Sequence, residues 1–237
     1  IIFEARGSRE PTFLKQRIQN RAGPVITDGY AGYNFLDAME GIRHAGCMAH
    51  VRRKFYEADV ANRDSTLAKQ ALSYIGKLYD IEREAKENSY SDAELLKLRQ
   101  DKSVALMNEY YDWIQTHRAK VVSSGALGKA LEYAHNQWPR LEHFLQDPKI
   151  PIDNNELEHA IRPFTVGRKN WLFSGSKKGA DASGCLYTLI ETAKAAGHDP
   201  YWYLRYLFVQ LPQMETGQDI QSILPYNISP ETCEKFF

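Results

Sequence analysis

Residues 24–58 read PVITDGYAGYNFLDAMEGIRHAGCMAHVRRKFYEA, and the fold class turns on this stretch. Pro24–Thr27 is a short apolar run that ends on Asp28 and Gly29, the pattern of a strand giving way to a turn. A helix is expected over Gly32–Glu40, a short extended or turn segment over Ile42–Gly46, and a further helix from Cys47 to Ala58. Strand alternating with helix points to an α/β fold with a mixed sheet and crossover helices. Upstream, Ile1–Phe3 reads as a strand, and a polar segment with Arg6, Gly7 and Ser8 separates it from a helix near Pro11–Asn20.

Downstream the pattern changes. Leu67, Ala71, Tyr74, Leu78, Ile81 and Ala85 recur at steps of three and four, the period of a helix. Ser91 followed by Glu94 is a capping-box pattern that opens a second long helix through Leu95, Leu98, Ala105, Leu106, Tyr110, Trp113 and Ile114. A third is expected from about Ser124 to Gln137, with Pro139 interrupting it. Residues 59–148 therefore read as an all-helical block inserted into the α/β part. After it, Asp153 is the expected N-cap of a helix, with Glu156 as its capping-box partner. A helix over about Ala180–Ala196 should end at Gly197, and Asp199 with Pro200 should start another, Tyr201–Leu211, stopped by Pro212. The expected division is 1–58 and 149–197 for the two parts of one core, 59–148 for the insertion, and 198–237 for a helical C-terminal region.

Composition bounds the function without naming it. Of 237 residues, 43% are hydrophobic and 25% charged, the balance of an ordinary globular protein. Three widely spaced cysteines, Cys47, Cys185 and Cys233, fit a reducing compartment better than a disulfide framework, so the cytoplasm is expected. No apolar run approaches the roughly 18 residues needed to span a bilayer, and no signal peptide opens the chain, so no membrane partner is expected. The chain begins at Ile1 without an initiator Met, which suggests a start partway through a larger protein.

Charge placement is more telling, because thirty cations and thirty anions cancel overall yet are locally sorted. Between Arg162 and Lys178 there are five Lys or Arg and no Asp or Glu. A second acid-free stretch, Ile42–Tyr56, holds Arg43, Arg52, Arg53 and Lys54. Both should attract a polyanion. Arg168, Lys169, Lys177 and Lys178 are candidates for backbone phosphates, while Trp171 and Phe173 either stack on bases or pack in the core.

Three carboxylates near the start of the Ile152–Phe173 segment, IDNNELEHAIRPFTVGRKNWLF, have separable roles. Asp153 and Glu156 are accounted for by the helix start. Glu158 is either an exposed partner of Arg162, worth about 0.3–0.5 kcal/mol, or a group for chemistry. Asp28 is likewise either part of a plain TDGY turn or a functional acid at a strand end. A pair such as Asp28 and Glu158 supplies oxygen ligands suited to divalent cations, and two such ions about 4 Å apart would activate the attacking oxygen and stabilise the leaving oxygen in phosphodiester cleavage. Cys47 and His50 have the C-x-x-H spacing of half a zinc site but lack an obvious second pair; the competing reading has His50 buttressing the active site and Cys47 in the core.

At these residues the chain closely resembles the insertion sequence 66 transposase family. The resemblance rests on TDGYAGYNFL at Thr27–Leu36, GCMAHVRRKFYEA at Gly46–Ala58, IDNNELEHAIRPFTVGRKNWLFSGSKKGA at Ile152–Ala180, and the following SGCLYTLIETAKAAGHDPYWYLRYLFVQLP, all in matching order. It implies a ribonuclease H-like fold, a DDE triad with two divalent metals (Mg²⁺ or Mn²⁺), and DNA strand cleavage and transfer at transposon ends. Carried over by position, Asp28 is the second acid and Glu158 the last. Arg52, Arg53, Lys54, Arg162, Arg168, Lys169, Trp171, Lys177 and Lys178 become the DNA-binding set, with Cys47, His50, Asn154 and Asn155 in support. Two departures stand out: His159 replaces an Arg that usually follows the final Glu, and the family's first Asp would lie upstream of Ile1. The fragment alone is therefore expected to be inactive. The implied partners are transposon-end and target DNA, with a homo-oligomer in a synaptic complex, in a bacterial cytoplasm. A non-catalytic DNA-binding or regulatory remnant is the alternative, and a structure-specific nuclease on the same fold a third.

Overall fold

A computed structural model describes residues 1–4, 10–171, 174–215 and 220–236, with side chains at 168–171 excepted. The described chain is mostly helical, with a two-stranded parallel sheet. It divides into two compact units, Arg9–Asn155 in one and Ile1–Ser8 with Glu156–Phe237 in the other. The polar segment with Arg6, Gly7 and Ser8 lies outside the described residues.

In the first unit, helix α1 (Thr12–Ile18) precedes strand β1 (Gly23–Thr27), which pairs in parallel with β2 (Ile42–Gly46). Gly23 lies opposite Ile42 and Thr27 opposite Gly46. Parallel neighbours need a crossover that returns the chain along the full strand length. The helix expected over Gly32–Glu40 is instead a 3₁₀ helix, Ala31–Ala38, and length supplies a reason. A five-residue strand is about 16 Å long at ~3.3 Å per residue. Eight residues of 3₁₀ helix cover about 16 Å, against about 12 Å for an α-helix.

Helix α2 (Met48–Ala61) buries Met48, Val51, Phe55 and Ala58, one face at helical spacing. That face packs on α3 (Thr66–Glu87) and α6 (Ala126–Leu141). Tyr110, from α5 (Val104–Arg118), stacks on Tyr74 with ring centroids 5.2 Å apart and meets Trp138 edge-on at 5.6 Å. Such aromatic pairs add about 0.5–1.5 kcal/mol beyond burial. The capping box forms as expected: Ser91 N–H donates to Glu94 Oε2 at 2.8 Å and Glu94 N–H to Ser91 Oγ at 3.4 Å. The helix it opens, α4 (Asp92–Leu98), passes into α5 through a wide π-helical turn, Arg99–Ser103, instead of running uniformly. This brings the adjacent residues Leu98 and Arg99 both to the buried side. Pro139 does not interrupt α6. It falls in the last turn, where only one intrahelical bond is forfeited, and the chain tightens into a 3₁₀ turn at Glu142–Leu145.

The second unit holds α7 (Asn155–Trp171), α8 (Lys177–Ala195), α9 (Pro200–Gln210) and α10 (Pro230–Lys235), and its core gathers Ala193 of α8, Tyr203 and Leu207 of α9, Ile223, and Cys233 of α10. Gly197 follows α8, and Asp199 caps α9 by accepting Tyr201 N–H at 2.8 Å. Pro212 does not stop α9 abruptly; the helix continues as a 3₁₀ turn, Leu211–Gln213. Ile1–Phe3 is not a strand among the described residues. Its main chain is held by hydroxyls of α8, with Phe3 N–H donating to Thr188 Oγ1 at 2.9 Å and Thr192 Oγ1 donating to the Ile1 carbonyl at 3.0 Å. No helix among the described residues is long and apolar enough to cross a membrane.

Candidate active site

Asp28 follows the last residue of β1 and is exposed. Its Oδ1 accepts Tyr30 N–H at 3.0 Å, and its carbonyl accepts Tyr133 O–H at 2.8 Å. Oδ2 has no partner among the described residues. Burial, then the nearby Cys47 and Asp28, push the Tyr133 hydroxyl up to about 12, so it stays a donor at neutral pH. The turn is thus pinned by its backbone while one carboxylate oxygen faces outward.

Beneath Asp28 lies a polar chain that sequence reading missed. Thr27 Oγ1 is 2.8 Å from His44 Nε2, and His44 Nδ1 is 2.6 Å from Asp37 Oδ1. Arg140 closes the chain with Nε at 3.1 Å from Asp37 Oδ1 and Nη2 at 2.5 Å from Oδ2. Burial lowers the His44 pKa against the opposing pull of Asp37, while the Arg140 hydrogen bond holds the Asp37 carboxyl below its usual range. A carboxylate can only accept, so neutral His44 carries its proton on Nδ1, and Thr27 donates to Nε2. Thr27 Oγ1 also accepts Gly29 N–H at 3.4 Å, which ties both sides of Asp28 to the network.

Gly29 makes this turn possible. Its φ is +76°, and an added Cβ would lie 2.7 Å from Tyr133 Oη and 2.9 Å from Gln137 Cδ. Gly29→Ala should therefore lose about 1–3 kcal/mol through left-handed strain and break the Tyr133 contact to Asp28. Gly23→Ala is the comparison, because Gly23 has φ +122° with no atom within 4 Å of the added Cβ. In urea titrations Gly29→Ala should fall below Gly23→Ala; equal midpoints would remove the steric part of the argument.

The start of α7 is fixed by a second cluster. Asp153 Oδ1 accepts Asn155 N–H at 3.0 Å, while Oδ2 accepts Asn155 Nδ2 at 2.7 Å and Tyr79 O–H at 2.5 Å. Asp153 is not the cap: it lies two residues before α7, where its carboxylate closes an Asx-type turn on Asn155 N–H, and Tyr79 of α3 is a further partner absent from the sequence reading. Cys47 Sγ donates to Asn154 Oδ1 at 2.9 Å and accepts Asn154 N–H at 3.4 Å, and Met48 N–H donates to the Ile152 carbonyl at 3.0 Å. Cys47 and Asn154 thus join the N-terminus of α2 to the chain entering α7. Burial raises the Cys47 pKa, which favours a thiol over the thiolate that zinc requires. Among the described residues no group of three or more His, Cys, Asp or Glu is set to hold a metal ion.

Glu158 lies in the first turn of α7 and is half-buried. Asp28 and Glu158 are both carboxylates, hard oxygen donors of the kind a divalent ion takes. Arg52 and Arg53 line a cleft with Ala49, Tyr56, Tyr79 and Asn155. Lys54 instead sits 3.6 Å from Glu57 on the exposed side of α2. Arg162 is exposed on α7. Lys177 and Lys178 occupy the first turn of α8, where their charge opposes the helix dipole. The side chains of Arg168, Lys169 and Trp171, and Phe173 as a whole, lie outside the described residues.

A small parallel sheet with an acid at a strand end, joined to many helices, places the chain in the α/β class. Comparison with known proteins is more specific. Residues 1–182 match the model of the Transposase IS66 family, and residues 188–226 match the IS66 C-terminal element. The chain belongs to the IS66 transposase family. Among curated relatives, the uncharacterized proteins y4qI and y4hP of Sinorhizobium fredii (strain NBRC 101917 / NGR234) are 34% and 31% identical to it. The matches cover 98% and 86% of this chain but 44% and 39% of those proteins. The chain therefore spans less than half the length of these relatives. No solved structure matches.

Proposed function

We infer that this chain is the catalytic and C-terminal part of a DDE transposase, built on a ribonuclease H-like core that carries residues 59–148 as a helical insertion. The observation that carries the reading is Asp28 in a family-matched segment, at the end of a parallel strand, with its backbone pinned and one carboxylate oxygen turned outward. Bound Mg²⁺ or Mn²⁺ would supply an activated oxygen nucleophile and neutralise charge on the scissile phosphate. Asp28 and Glu158 would be two of the acids that hold the ions. The Thr27–His44–Asp37–Arg140 chain keeps the Asp28 turn in place, and Arg52, Arg53, Lys54, Arg162, Arg168, Lys169, Lys177 and Lys178 hold phosphates, with Trp171 against bases. Lys177 and Lys178 support this part, since two cations at the positive end of α8 do not help the helix. Synapsis of two transposon ends calls for a homo-oligomer, working on DNA in the bacterial cytoplasm.

The test is a nicking assay with labelled transposon-end duplex and the protein from its complete reading frame. Cleavage should require Mg²⁺ or Mn²⁺, vanish with excess EDTA and return when metal is added back. The alternative is a DNA-binding remnant without cleavage. It predicts DNA binding that is indifferent to Mg²⁺ and falls steeply with salt.

A further inference from the structure

Two residues beyond Asp28 stands an aromatic ring that the core does not use. Tyr30 is 42% exposed, and its hydroxyl makes no hydrogen bond among the described residues, so no such bond draws the ring inward. The crossover Ala31–Ala38 is anchored instead by Leu36, which is fully buried. Tyr30 is nevertheless held in place. Its N–H donates to Asp28 Oδ1 at 3.0 Å, its carbonyl accepts Tyr33 N–H at 2.9 Å, and its ring meets that of Tyr33 edge-on with centroids 5.4 Å apart. Gly32 makes room for the ring: a Cβ there would run into Tyr30 Cε1 and lie 2.9 Å from Cδ1. Because the Asp28 carboxylate bonds the N–H of Tyr30 itself, the ring lies within one side-chain length of that carboxylate.

We propose that Tyr30 is a substrate-positioning residue, whose exposed ring stacks on the base of the nucleotide beside the phosphate at Asp28. The assignment rests on the strand-cleavage reading above and goes beyond it by giving that nucleotide a seat of its own. Proximity selects the nucleotide, since a ring this close to the acid meets the neighbour of whatever phosphate the acid serves. Chemistry selects the base, because an exposed aromatic ring stacks on any base whereas a bare phosphate or metal ion gains little from it. Rigidity favours a binding role: the Asp28 turn, Tyr33 and Gly32 fix the ring beforehand, so little side-chain freedom is lost when a base arrives. A base can reach the ring only out of the duplex stack, so the seat is one for an unpaired or flipped-out nucleotide.

Fluorescence anisotropy on this chain in Mg²⁺ provides the test, using a short labelled single strand and the same strand with abasic sugars, which keeps every phosphate. The intact strand should bind on the order of tenfold tighter than the abasic strand, the scale of one base stacked on an aromatic ring. Tyr30→Ala should erase that difference while Tyr30→Phe keeps it, with circular dichroism confirming the fold of both. Gly32→Ala, which displaces the ring without removing it, should behave like Tyr30→Ala. A Tyr30 that merely braced the crossover would lower the thermal midpoint of Tyr30→Ala and leave the ratio of intact to abasic affinity as it was. Equal affinity for the two strands, or a preference that survives Tyr30→Ala, would therefore overturn the assignment. Metal-dependent nicking by the complete protein is a separate readout. Nicking without a Tyr30-dependent base preference sinks the seat alone, and such a preference without nicking sinks strand cleavage alone.

Discussion

Glu158→Gln in the complete protein should lower Mg²⁺-dependent nicking of transposon-end DNA by at least about 10³-fold, the several kcal/mol that metal-ion stabilisation supplies. The substitution keeps side-chain length and hydrogen-bonding capacity but removes the charge a divalent ion needs. Glu156→Gln provides the decisive contrast. Glu156 lies in the same turn of α7, is exposed, and makes the same favourable interaction with the helix dipole. If Glu158 acted only through the helix, the two variants would behave alike. In the metal-ligand reading Glu156→Gln nicks within a few-fold of the natural protein while Glu158→Gln does not. Comparable nicking by both, at matched thermal midpoints, would take Glu158 out of the mechanism.

What could be read from the chain beforehand was what local chemistry determines. The Ser91–Glu94 capping box, Asp199 before Pro200, Gly197 after α8 and the strand ending at Asp28 each depend on residues within a few positions of one another. Features that depend on distant partners were not legible. Tyr133 reaches the Asp28 carbonyl across 105 positions, Tyr79 reaches Asp153 across 74, and Arg140 reaches Asp37 across 103. The crossover Ala31–Ala38 failed for another reason: its apolar spacing allows a helix, but the length it must span favours 3₁₀ geometry. Ile1–Phe3 has strand composition, yet the hydroxyls of Thr188 and Thr192 take up its backbone groups. The face Ala49, Arg52, Arg53 and Tyr56 did carry a signal, a helical period of cations and an aromatic ring, although only Tyr79 and Asn155 make it a cleft. The roles proposed for Asp28 and Glu158 rest on family resemblance, because isolated carboxylates at a strand end and on a helix also have ordinary structural uses.

The largest stability effect should come from Arg99, which no motif marks. It is 1% exposed, in the π-helical turn, and its guanidinium grips Glu82 through Nε at 2.8 Å and Nη2 at 2.6 Å. Its Nη1 donates to three carbonyls, Phe144 at 2.7 Å, Asp147 at 3.1 Å and Ile150 at 3.1 Å. One side chain thus ties α3 to the segment that runs from the end of α6 toward Asp153. Arg99→Met should cost about 3–5 kcal/mol, since it leaves a carboxylate that is 17% exposed without its cation. Removing both charges separates two contributions. Glu82→Leu combined with Arg99→Met relieves the uncompensated charge, and apolar replacement of a buried pair is often neutral. The three carbonyls would still lack their donor, at about 1–3 kcal/mol for each one left buried and unsatisfied. The double variant should therefore recover only part of the loss in urea titrations. Full recovery would show the ion pair to be the whole effect, whereas no recovery would show the carbonyl clamp to dominate and Glu82 to serve only in aiming Arg99.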